Sequence, residues 1–516
     1  MIETGRLAQL RNLGDFLALP TDRQGVALID TSPGAYRRWT FAELDCFSAK
    51  ASLGLRAEGL VAPGDRVAIL SENCAEYVAL FSATMRSGAI AVPINHQLPI
   101  DQIARLVAEA NIGLIGIGRN FDVAKIASSS PNLRIMHLHG DGEDSLNALV
   151  ARAAFDGDRR PIKVASTDCA CILYTSGSTG APKGVMLTHG GQLWALARTS
   201  SYFPPSPGVM TVMAAPFYHM NGLFITMNCI ANGIGVVLMP RFQGRTYLEL
   251  VAAYRCALLT GIPAMFAMAL RKGDLISKHG YSFVDSIILG SSPLSKRLAD
   301  DISRAFPNAR IRNSFGTTEA GAYVFGPHPD GLATPSLSLG YPAAGVEIEL
   351  FDGLDAYTGT MRMRSPAVMA GYLNQPDDTN AKLRDGWYCT GDVMRRDNQG
   401  FYYHIGRSDD MFVCGGENIC PGEVEKMLET HDNIIQAAVV PLHDAIKGQV
   451  PVAFIVCKAG TAPSEQDVKA FALENGPAFS HPRQVIQVEA LPIASSFKYD
   501  RKALIERVES DIAVAD

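Results

Sequence analysis

Short apolar runs alternate with amphipathic segments along much of the chain, beginning near residue 65. The apolar runs predict strands, and these are Val67–Leu70, Ile90–Ile94, Leu114–Ile117, Ile135–Leu138, Val209–Ala214, Gly235–Met239, Ala257–Thr260 and Ser286–Leu289. The amphipathic segments predict helices, and these include Cys74–Met85, Ile100–Ala110, Thr246–Arg255 and Ser295–Ala305. Alternation of this kind favours mostly parallel sheets covered by helices.

The pattern changes near residue 408, where Gly406 and Arg407 lead into the charged segment Ser408–Asp410. Beyond it we expect a smaller α+β unit, with helices over 423–430, 464–474 and 501–509 and strands over 434–441, 450–457 and 485–488. A chain of 516 residues is too long for one hydrophobic core. The predicted fold class is therefore α/β, with a large N-terminal domain over residues 1–407 and a small C-terminal domain over residues 408–516.

Composition narrows the class of protein without naming a function. A net charge of −6 supplies no basic surface field, which argues against a nucleic-acid partner. The 10 cysteines are scattered without a repeated spacing, as expected for reduced thiols in a cytoplasmic protein rather than for a disulfide framework. The N-terminus lacks the pattern of a signal peptide, and no apolar run is long enough to span a bilayer.

The stretch 174–185, which reads YTSGSTGAPKGV, follows an apolar run that predicts a buried strand. Its glycines allow a tight turn whose backbone N–H groups form an anion-binding concavity. Its hydroxyls add donors, and Lys183 adds a point charge suited to phosphate oxygens. A Walker P-loop would need Gly-Lys-Ser/Thr opening a helix, whereas here Pro182 precedes the lysine and Gly184 follows it. We interpret the stretch as a polyphosphate cradle; the alternative is a solvated linker.

Two later motifs carry groups suited to the rest of a nucleotide. The stretch 313–319 reads NSFGTTE, in which Phe315 offers a face for a purine, Thr318 a phosphate donor and Glu319 an oxygen ligand for Mg²⁺. The stretch 385–392 reads DGWYCTGD, and a carboxylate such as Asp392 can accept from both hydroxyls of a ribose diol. Taken alone, the first could be a loop with a surface glutamate and the second an Asp-Gly hairpin.

Two motifs lie in the predicted C-terminal domain. The stretch 414–425 reads CGGENICPGEVE, and its paired glycines, Gly415 and Gly416, allow close approach of a thin ligand or of another segment. The stretch 491–501 reads LPIASSFKYDR and contains Lys498, which could bridge a carboxylate and a phosphate as negative charge shifts between them. Taken alone, these could be a β-turn before a helix and a solvated lysine.

Together, in this order, the motifs resemble the AMP-forming adenylating enzymes, a superfamily of acyl- and aryl-CoA synthetases, luciferases and nonribosomal adenylation domains. The resemblance runs from the WTFAEL stretch at 39–44 to Arg501, nearly the whole chain. Two departures stand out: Phe315 replaces the usual tyrosine and keeps the stacking ring, and Phe497 replaces a glycine before the lysine. A Pro-x-x-His-x-x-Gly pattern at 216–222 and a GSSPL loop at 290–294 also match the places of the family's acyl-pocket segments.

The resemblance implies a role for each candidate residue. Catalytic roles fall to Lys498, Glu319, Thr179 and His219, the last of which gates the acyl pocket, and Thr179 and Glu319 serve Mg²⁺. ATP binding is implied for Thr175, Ser176, Gly177, Ser178, Thr179, Lys183, Ser292, Asn313, Ser314, Phe315, Gly316, Thr318, Asp392 and Arg407. Gly415 and Gly416 would line the tunnel of coenzyme A, and Asp409 would be the hinge about which a mobile C-terminal domain rotates.

The implied function is that of an ATP-dependent carboxylate–CoA ligase acting on an aromatic or medium-chain apolar acid. Its cofactors would be ATP, Mg²⁺ and coenzyme A, and its partner a small carboxylic acid; the sequence is also compatible with a homodimer. Two alternatives stay open: an adenylating enzyme with another acceptor, such as a carrier-protein thiol, and a nucleotide-binding protein of the same fold without turnover.

Overall fold

The computed structural model describes residues 9–32, 36–119, 121, 124–155, 159–176, 182–199, 208–353, 355–444, 446–458, 460–493 and 499–513. It opens with a short 3-10 helix over Leu13–Ala18. Within this described part of the chain, no helix is both long and apolar enough to cross a membrane.

Among the described residues, strands form six sheets. They are β1 (Val26–Asp30), β2 (Arg37–Thr40), β3 (Arg66–Leu70), β4 (Ile90–Pro93), β5 (Leu114–Ile117), β6 (Arg134–His137), β7 (Cys169–Ser176), β8 (Pro182–Thr188), β9 (Met210–Met213), β10 (Gly235–Leu238), β11 (Leu258–Gly261), β12 (Ser286–Leu289), β13 (Arg310–Asn313), β14 (Phe325–Gly326), β15 (Tyr341–Pro342), β16 (Glu347–Phe351), β17 (Thr358–Arg364), β18 (Gly371–Tyr372), β19 (Leu383–Arg384), β20 (Trp387–Arg396), β21 (Tyr402–Arg407), β22 (Phe412–Cys414), β23 (Glu417–Ile419), β24 (Ile434–Asp444), β25 (Gly448–Cys457) and β26 (Gln484–Gln487).

Helices fill the connections between strands. They are α1 (Phe41–Ala57), α2 (Ala75–Arg86), α3 (Ile100–Glu109), α4 (Ala124–Ser129), α5 (Leu146–Arg152), α6 (His189–Thr199), α7 (Met220–Ala231), α8 (Gly244–Ala253), α9 (Pro263–Leu270), α10 (Gly273–His279), α11 (Lys296–Ala305), α12 (Pro376–Lys382), α13 (Pro421–Leu428), α14 (Glu465–Asn475) and α15 (Arg501–Ala513). Local chemistry fixes several starts: Thr40 and Glu43 form a capping box at α1, and the Ser295 hydroxyl caps α11.

The largest sheet has seven strands in the order β18-β8-β7-β4-β3-β5-β6. Its centre is parallel, because β4, β3, β5 and β6 pair in that sense and β7 runs parallel to β4. Strands β7 and β8 form an antiparallel hairpin in which Thr175 lies opposite Lys183. Strand β7 therefore ends, and β8 begins, at the edge where the carboxyl ends of the parallel strands meet, which is where open α/β sheets bind ligands.

Two smaller sheets are also mostly parallel. The order β2-β1-β10-β9 is parallel except for β2, and β11-β12-β13 is parallel throughout. The predicted fold class is thus confirmed. An antiparallel sheet of β16, β17, β20, β19 and β21 was not predicted. It had a signal, since buried Met361 and Met363 alternate with Arg362 and Arg364 along β17, the period of a half-buried strand.

The smaller C-terminal domain holds the order β23-β22-β25-β24, with β26 parallel to β25. Among the described residues, its two hydrophobic clusters begin at Phe412, whereas the buried members of the three clusters of the large domain end at Tyr402. The predicted boundary between residues 407 and 408 falls between these cores and stays a prediction.

Candidate active site

A cavity of about 2270 Å³ lies at the carboxyl ends of the parallel strands and extends to the C-terminal domain. Most of the residues singled out in the sequence line it, although they are spread over more than 200 positions of the chain. They are Thr175, Lys183, His219, Ser292, Asn313, Ser314, Phe315, Gly316, Thr318, Glu319, Asp392, Arg407 and Asp409.

Several candidates fall outside this description. Gly177, Ser178, Thr179 and Lys498 lie outside the described residues, as does the side chain of Ser176. Gly415 and Gly416 are described, but they do not line the cavity, whereas Tyr499 and Arg501 do. In this arrangement the segment that follows Lys498 faces the cavity and the glycine pair does not.

Lys183 is the second residue of β8, the return strand of the β7–β8 hairpin, and its side chain is largely buried. Its Nζ lies 2.7 Å from Oδ1 of Asp378, which is half exposed on α12. The same Nζ lies 5.5 Å from the centre of the Tyr372 ring. The one strong cation of the predicted cradle is thus held by a carboxylate that a polyphosphate would have to displace.

Glu319 lies on the cavity wall and receives one hydrogen bond from a buried tyrosine. The Tyr372 hydroxyl donates to Oε1 of Glu319 over 3.0 Å. Burial, and then the neighbouring Glu319 carboxylate, raise the pKa of Tyr372, so the hydroxyl stays protonated and keeps donating. A fixed carboxylate with further lone pairs facing a cavity fits the oxygen ligation that Mg²⁺ prefers.

The 313–316 stretch follows the end of β13. Asn313 donates to the Leu337 carbonyl over 2.9 Å, and the Ser314 hydroxyl donates to the Leu289 carbonyl over 2.9 Å. Both side chains therefore use donors to hold the loop against neighbouring segments. A ligand would meet mainly the backbone of Asn313 and Ser314 and the surface that they shape. Phe315 lines the cavity beside them, with its ring centre 6.0 Å from that of Phe325.

The Thr-Gly-Asp motif follows a two-residue turn. Asp385 and Gly386 take φ values of 51° and 78°, as in the favoured Asp-Gly hairpin turn between β19 and β20. Asp385 and Gly386 thus form the Asp-Gly hairpin that was the alternative interpretation of this motif. Asp392 nevertheless lines the cavity further along β20. Gly391 also has a positive φ of 78°, and an added Cβ would lie 3.2 Å from Nη2 of Arg407.

Arg407 connects this motif to the predicted hinge. Its Nη1 donates to the Thr390 carbonyl over 3.0 Å and to Oδ2 of Asp392 over 3.2 Å, and its Nη2 donates to Asp409 over 3.1 Å. Burial acts to lower the pKa of Arg407, but Asp392 and Asp409 outweigh it and raise that pKa. The guanidinium is therefore a fixed cation that joins the end of β21 to the first residues after it.

An apolar recess of the cavity lies around the start of α7. His219 occupies the N-cap position of that helix, and its ring centre lies 4.6 Å from that of Tyr218. Ser291, next to Ser292, has a φ of 68° and accepts a hydrogen bond from Asn221 over 3.0 Å. The remaining walls are mostly apolar side chains, namely Met220, Phe224, Ile225, Ile262, Pro263, Ala264 and Ala267.

Arg501 anchors the far side of the undescribed segment 494–498. Its guanidinium donates to Oε1 and Oε2 of Glu425 over 2.6 and 3.0 Å, and to the Val439 carbonyl over 2.7 Å. Ile493 and Tyr499 form a backbone bridge across the segment. The described residues on either side of 494–498 are thus held by contacts within the small domain.

Sequence reasoning missed the residues that hold the candidates in place. These are Tyr372 at Glu319, Asp378 at Lys183, His404 at Asp392, and Glu425 at Arg501. Each lies at least twelve positions from its partner, so no local pattern signals the contact. Such pairs arise only when separate strands and helices meet at the cavity.

Comparison with known proteins agrees with this arrangement. The family described as AMP-binding enzyme matches residues 20–373, and the AMP-binding enzyme C-terminal domain matches residues 423–498. A 4-coumarate–CoA ligase 1 of Petroselinum crispum is 28% identical over 491 residues, covering 92% of this chain and 89% of that protein.

Solved structures of related enzymes superpose on nearly the whole chain. ATP-bound MatB from Rhodopseudomonas palustris superposes with a TM-score of 0.87 at 26% identity, covering 96% of this chain and 99% of that one. An anthranilate CoA ligase, AuaEII, in complex with anthranoyl-AMP superposes with a TM-score of 0.86 at 25% identity, covering 100% of both chains. The fold and cavity are those of an adenylate-forming enzyme. The chain belongs to the AMP-binding enzyme family, as its motifs predicted, and its predicted enzyme class, an AMP-forming ligase, is confirmed.

Proposed function

We propose that the chain is an ATP-dependent carboxylate–CoA ligase for an aromatic or medium-chain apolar acid. The observation that carries this proposal is the cavity itself, which brings Lys183, Glu319 and Asp392 to one space beside the apolar recess. A phosphate cation, a metal carboxylate and a diol acceptor in one cavity match the three parts of Mg·ATP. The recess supplies a place for the acyl group next to the α-phosphate.

The first half-reaction joins the acid to AMP. An oxygen of the substrate carboxylate attacks the α-phosphorus of ATP, the bond to the β-phosphate breaks, and pyrophosphate leaves with its electron pair. Phe315 stacks on the adenine, Asp392 accepts from the ribose hydroxyls, and Lys183 leaves Asp378 for the phosphates. The enzyme contributes positioning and charge neutralisation, and no general base is needed because the nucleophile is already ionised.

Mg²⁺ would be held by Glu319, whose orientation Tyr372 fixes, and by Thr179 on the phosphate turn. When bound, the ion neutralises charge that develops on the departing pyrophosphate. Lys498 would reach the carboxylate and the α-phosphate from the C-terminal domain, since the adjoining Tyr499 and Arg501 line the cavity.

The second half-reaction forms the thioester. The sulfur of coenzyme A attacks the acyl carbonyl carbon, AMP leaves with the electrons of the mixed-anhydride bond, and the thiol proton passes to solvent. Gly415 and Gly416 do not line the cavity in this arrangement, so we propose that the small domain rotates about Asp409 between the half-reactions. That rotation would move Lys498 away from the cavity and bring Gly415 and Gly416 to it.

The chemistry of the recess and the relatives together support the acyl class. Among the proteins compared above, those named for their acids are a 4-coumarate–CoA ligase and an anthranilate CoA ligase, and both acids are aromatic. Side chains such as Tyr218, Met220, Phe224 and Ile225 provide the apolar surface that an aromatic ring would bury. His219 at the mouth of α7 would position the ring rather than transfer a proton.

The setting follows from the same features. The partner is a small carboxylic acid, no basic field points to nucleic acid, and we propose a cytoplasmic location because all 10 cysteines are unpaired. A homodimer is compatible with the chain and is tested by its mass in solution.

The function is tested by pyrophosphate release with Mg·ATP over benzoates, hydroxycinnamates and short to long fatty acids, each with and without coenzyme A. We expect turnover to require coenzyme A, to yield an acyl-CoA and to favour aromatic acids. Adenylate formation that coenzyme A does not draw forward would contradict the ligase and favour a carrier-protein acceptor. Binding of ATP without pyrophosphate release would favour a protein without turnover.

The two half-reactions separate the roles of the small domain. Lys498→Ala is expected to abolish adenylate formation, measured by ATP–pyrophosphate exchange, and to spare thioester formation from supplied acyl-adenylate. Lys502→Ala, at an exposed lysine of α15, is the matched control. Equal loss of both half-reactions in the Lys498 variant would contradict the proposed rotation.

A further inference from the structure

The strand pair β20–β21 is irregular beside the ribose carboxylate of the proposed function. Asp392 lies opposite Arg407 and Val393 opposite Gly406, but Met394 lies opposite His404, so Ile405 is an extra residue. In regular pairing, residues two apart share a face, and Ile405 would lie on the face of Arg407. The bulge at Ile405 places His404 on that face instead. Bulges next to active sites often redirect a side chain in this way.

His404 and Arg407 contact different oxygens of the Asp392 carboxylate. Nε2 of His404 lies 3.1 Å from Oδ1 of Asp392, while Arg407 donates to Oδ2 over 3.2 Å. A carboxylate only accepts, so Nε2 carries the hydrogen. Each carboxylate oxygen has two acceptor positions. One donor on each oxygen therefore leaves one position on each, which matches the two hydroxyls of a ribose diol.

The rest of the imidazole is enclosed by the nucleotide side of the cavity. Its ring centre lies 6.1 Å from that of Phe315, with 31° between the planes. Its Nδ1 is buried, and the described residues offer it no hydrogen-bond partner. A buried nitrogen without a hydrogen-bond partner lowers the stability of the fold. A residue that carries such a nitrogen calls for an explanation, and a functional role is one. The polar contact that the ring does make is the one to Asp392.

We infer that His404 is a positioning residue for nucleotide binding, which holds the Asp392 carboxylate in register with the ribose diol. This inference rests on the proposed role of Asp392 in binding ribose. His404 acts through Asp392 and leaves the phosphate and acyl ends of the cavity to other residues. Its loss should therefore weaken recognition of the ribose hydroxyls and leave the chemical step largely intact.

The test uses the full chain with His404→Phe, which keeps a ring, and His404→Gln, whose Nε2 can replace the histidine donor. The control is His137→Phe, at a half-exposed histidine on β6. KM and kcat are measured by pyrophosphate release with ATP, 2′-deoxy-ATP and 3′-deoxy-ATP. We expect H404F to raise the KM for ATP about tenfold or more, with a smaller change in kcat, as for loss of a hydrogen bond to a charged group. H404Q should restore most of the affinity, and H137F should leave KM unchanged.

The comparison of ATP with the two deoxynucleotides tests whether His404 acts through the ribose contact. For the nucleotide that lacks the hydroxyl bound by Oδ1, the penalty of H404F should fall to about twofold or less, because the two changes remove one interaction. An equal penalty with all three nucleotides, or an H404Q variant as impaired as H404F, would overturn the inference. If H404F does not fold, His404→Ala is compared in the same way.

Asp392→Asn separates this inference from the function beneath it. If D392N leaves the KM for ATP unchanged, the ribose assignment itself is wrong. If D392N raises that KM and H404F does not, only the role of His404 is wrong.

Discussion

Lys183 is paired before any phosphate reaches it. Its ammonium lies 2.7 Å from Asp378, a residue that belongs to α12 and has no counterpart among the motifs of the chain. A half-exposed ion pair contributes at most about 1 kcal/mol, so a polyphosphate can displace Asp378 at small cost. That cost still enters the apparent affinity for ATP.

Asp378→Asn should therefore lower the KM for ATP, by about two- to fivefold, since about 1 kcal/mol corresponds to that range. The variant is compared by pyrophosphate release with Asp377→Asn, a change at the exposed neighbouring residue on the same helix. A rise in KM with D378N alone would show that Asp378 positions Lys183 for phosphate rather than competing with it.

At the scale of elements, helix α13 of the small domain is joined to β21 of the large domain by a lysine. Nζ of Lys426 donates to the His404 carbonyl over 2.5 Å. Burial lowers the pKa of Lys426, and the acidic residues around it act in the opposite direction. A largely buried ammonium is retained at a cost, which indicates that this contact helps to select the arrangement in which Tyr499 and Arg501 line the cavity.

Lys426→Met, which keeps most of the length of the side chain and removes the ammonium, should slow adenylate formation several-fold, in line with one hydrogen bond from a charged donor. Thioester formation from supplied acyl-adenylate should change less, because in the proposed rotation that step uses a different arrangement of the two domains. Both rates are measured by rapid quench, with Lys458→Met at an exposed lysine of the same domain as the control. Equal slowing of both steps would argue against a selective contact.

At the scale of the whole molecule, we expect folding stability to depend on pH through Glu429, at the end of α13. Burial raises its pKa to about 7, the Ala437 amide and the Ser295 hydroxyl act to lower it, and Glu425 raises it further. The folded state thus binds this proton more tightly than the unfolded chain does. The resulting stabilisation is complete below the ordinary value of 4.5 and is lost as pH rises to about 7.

Glu429→Gln imitates the protonated carboxyl at every pH. At pH 8 it should unfold at a higher temperature than the parent chain, with a gain of up to about 3 kcal/mol for a shift of this size. The gain should shrink as pH falls and vanish near pH 4.5. Thermal unfolding from pH 4.5 to 8 provides the measurement, with Glu423→Gln on the same helix as the control; a gain independent of pH would contradict the assignment.

Much of the fold was predictable because its signals are local. The strand Leu114–Ile117 has the predicted bounds, and the helix Ile100–Glu109 differs from its prediction by one residue. Such runs carry their own hydrophobic period, and caps such as Thr40 with Glu43 mark where helices begin. The antiparallel sheet was missed because most of its strands follow one another through short turns and loops, and helix α12 intervenes only between β17 and β19, so the regular alternation of strands and helices is absent.

The sequence by itself determined the family, the fold class and the residue types that we propose to meet Mg·ATP, because glycine turns, a lysine and carboxylates at set spacings are suited to phosphate and metal chemistry. Only the tertiary structure decided which partners hold those groups. Tyr372 meets Glu319 across 53 positions, and a single extra residue in β21 turns His404 toward Asp392. Side-chain direction on a strand reverses with each residue, so a bulge that pairing alone creates decides which face a side chain takes.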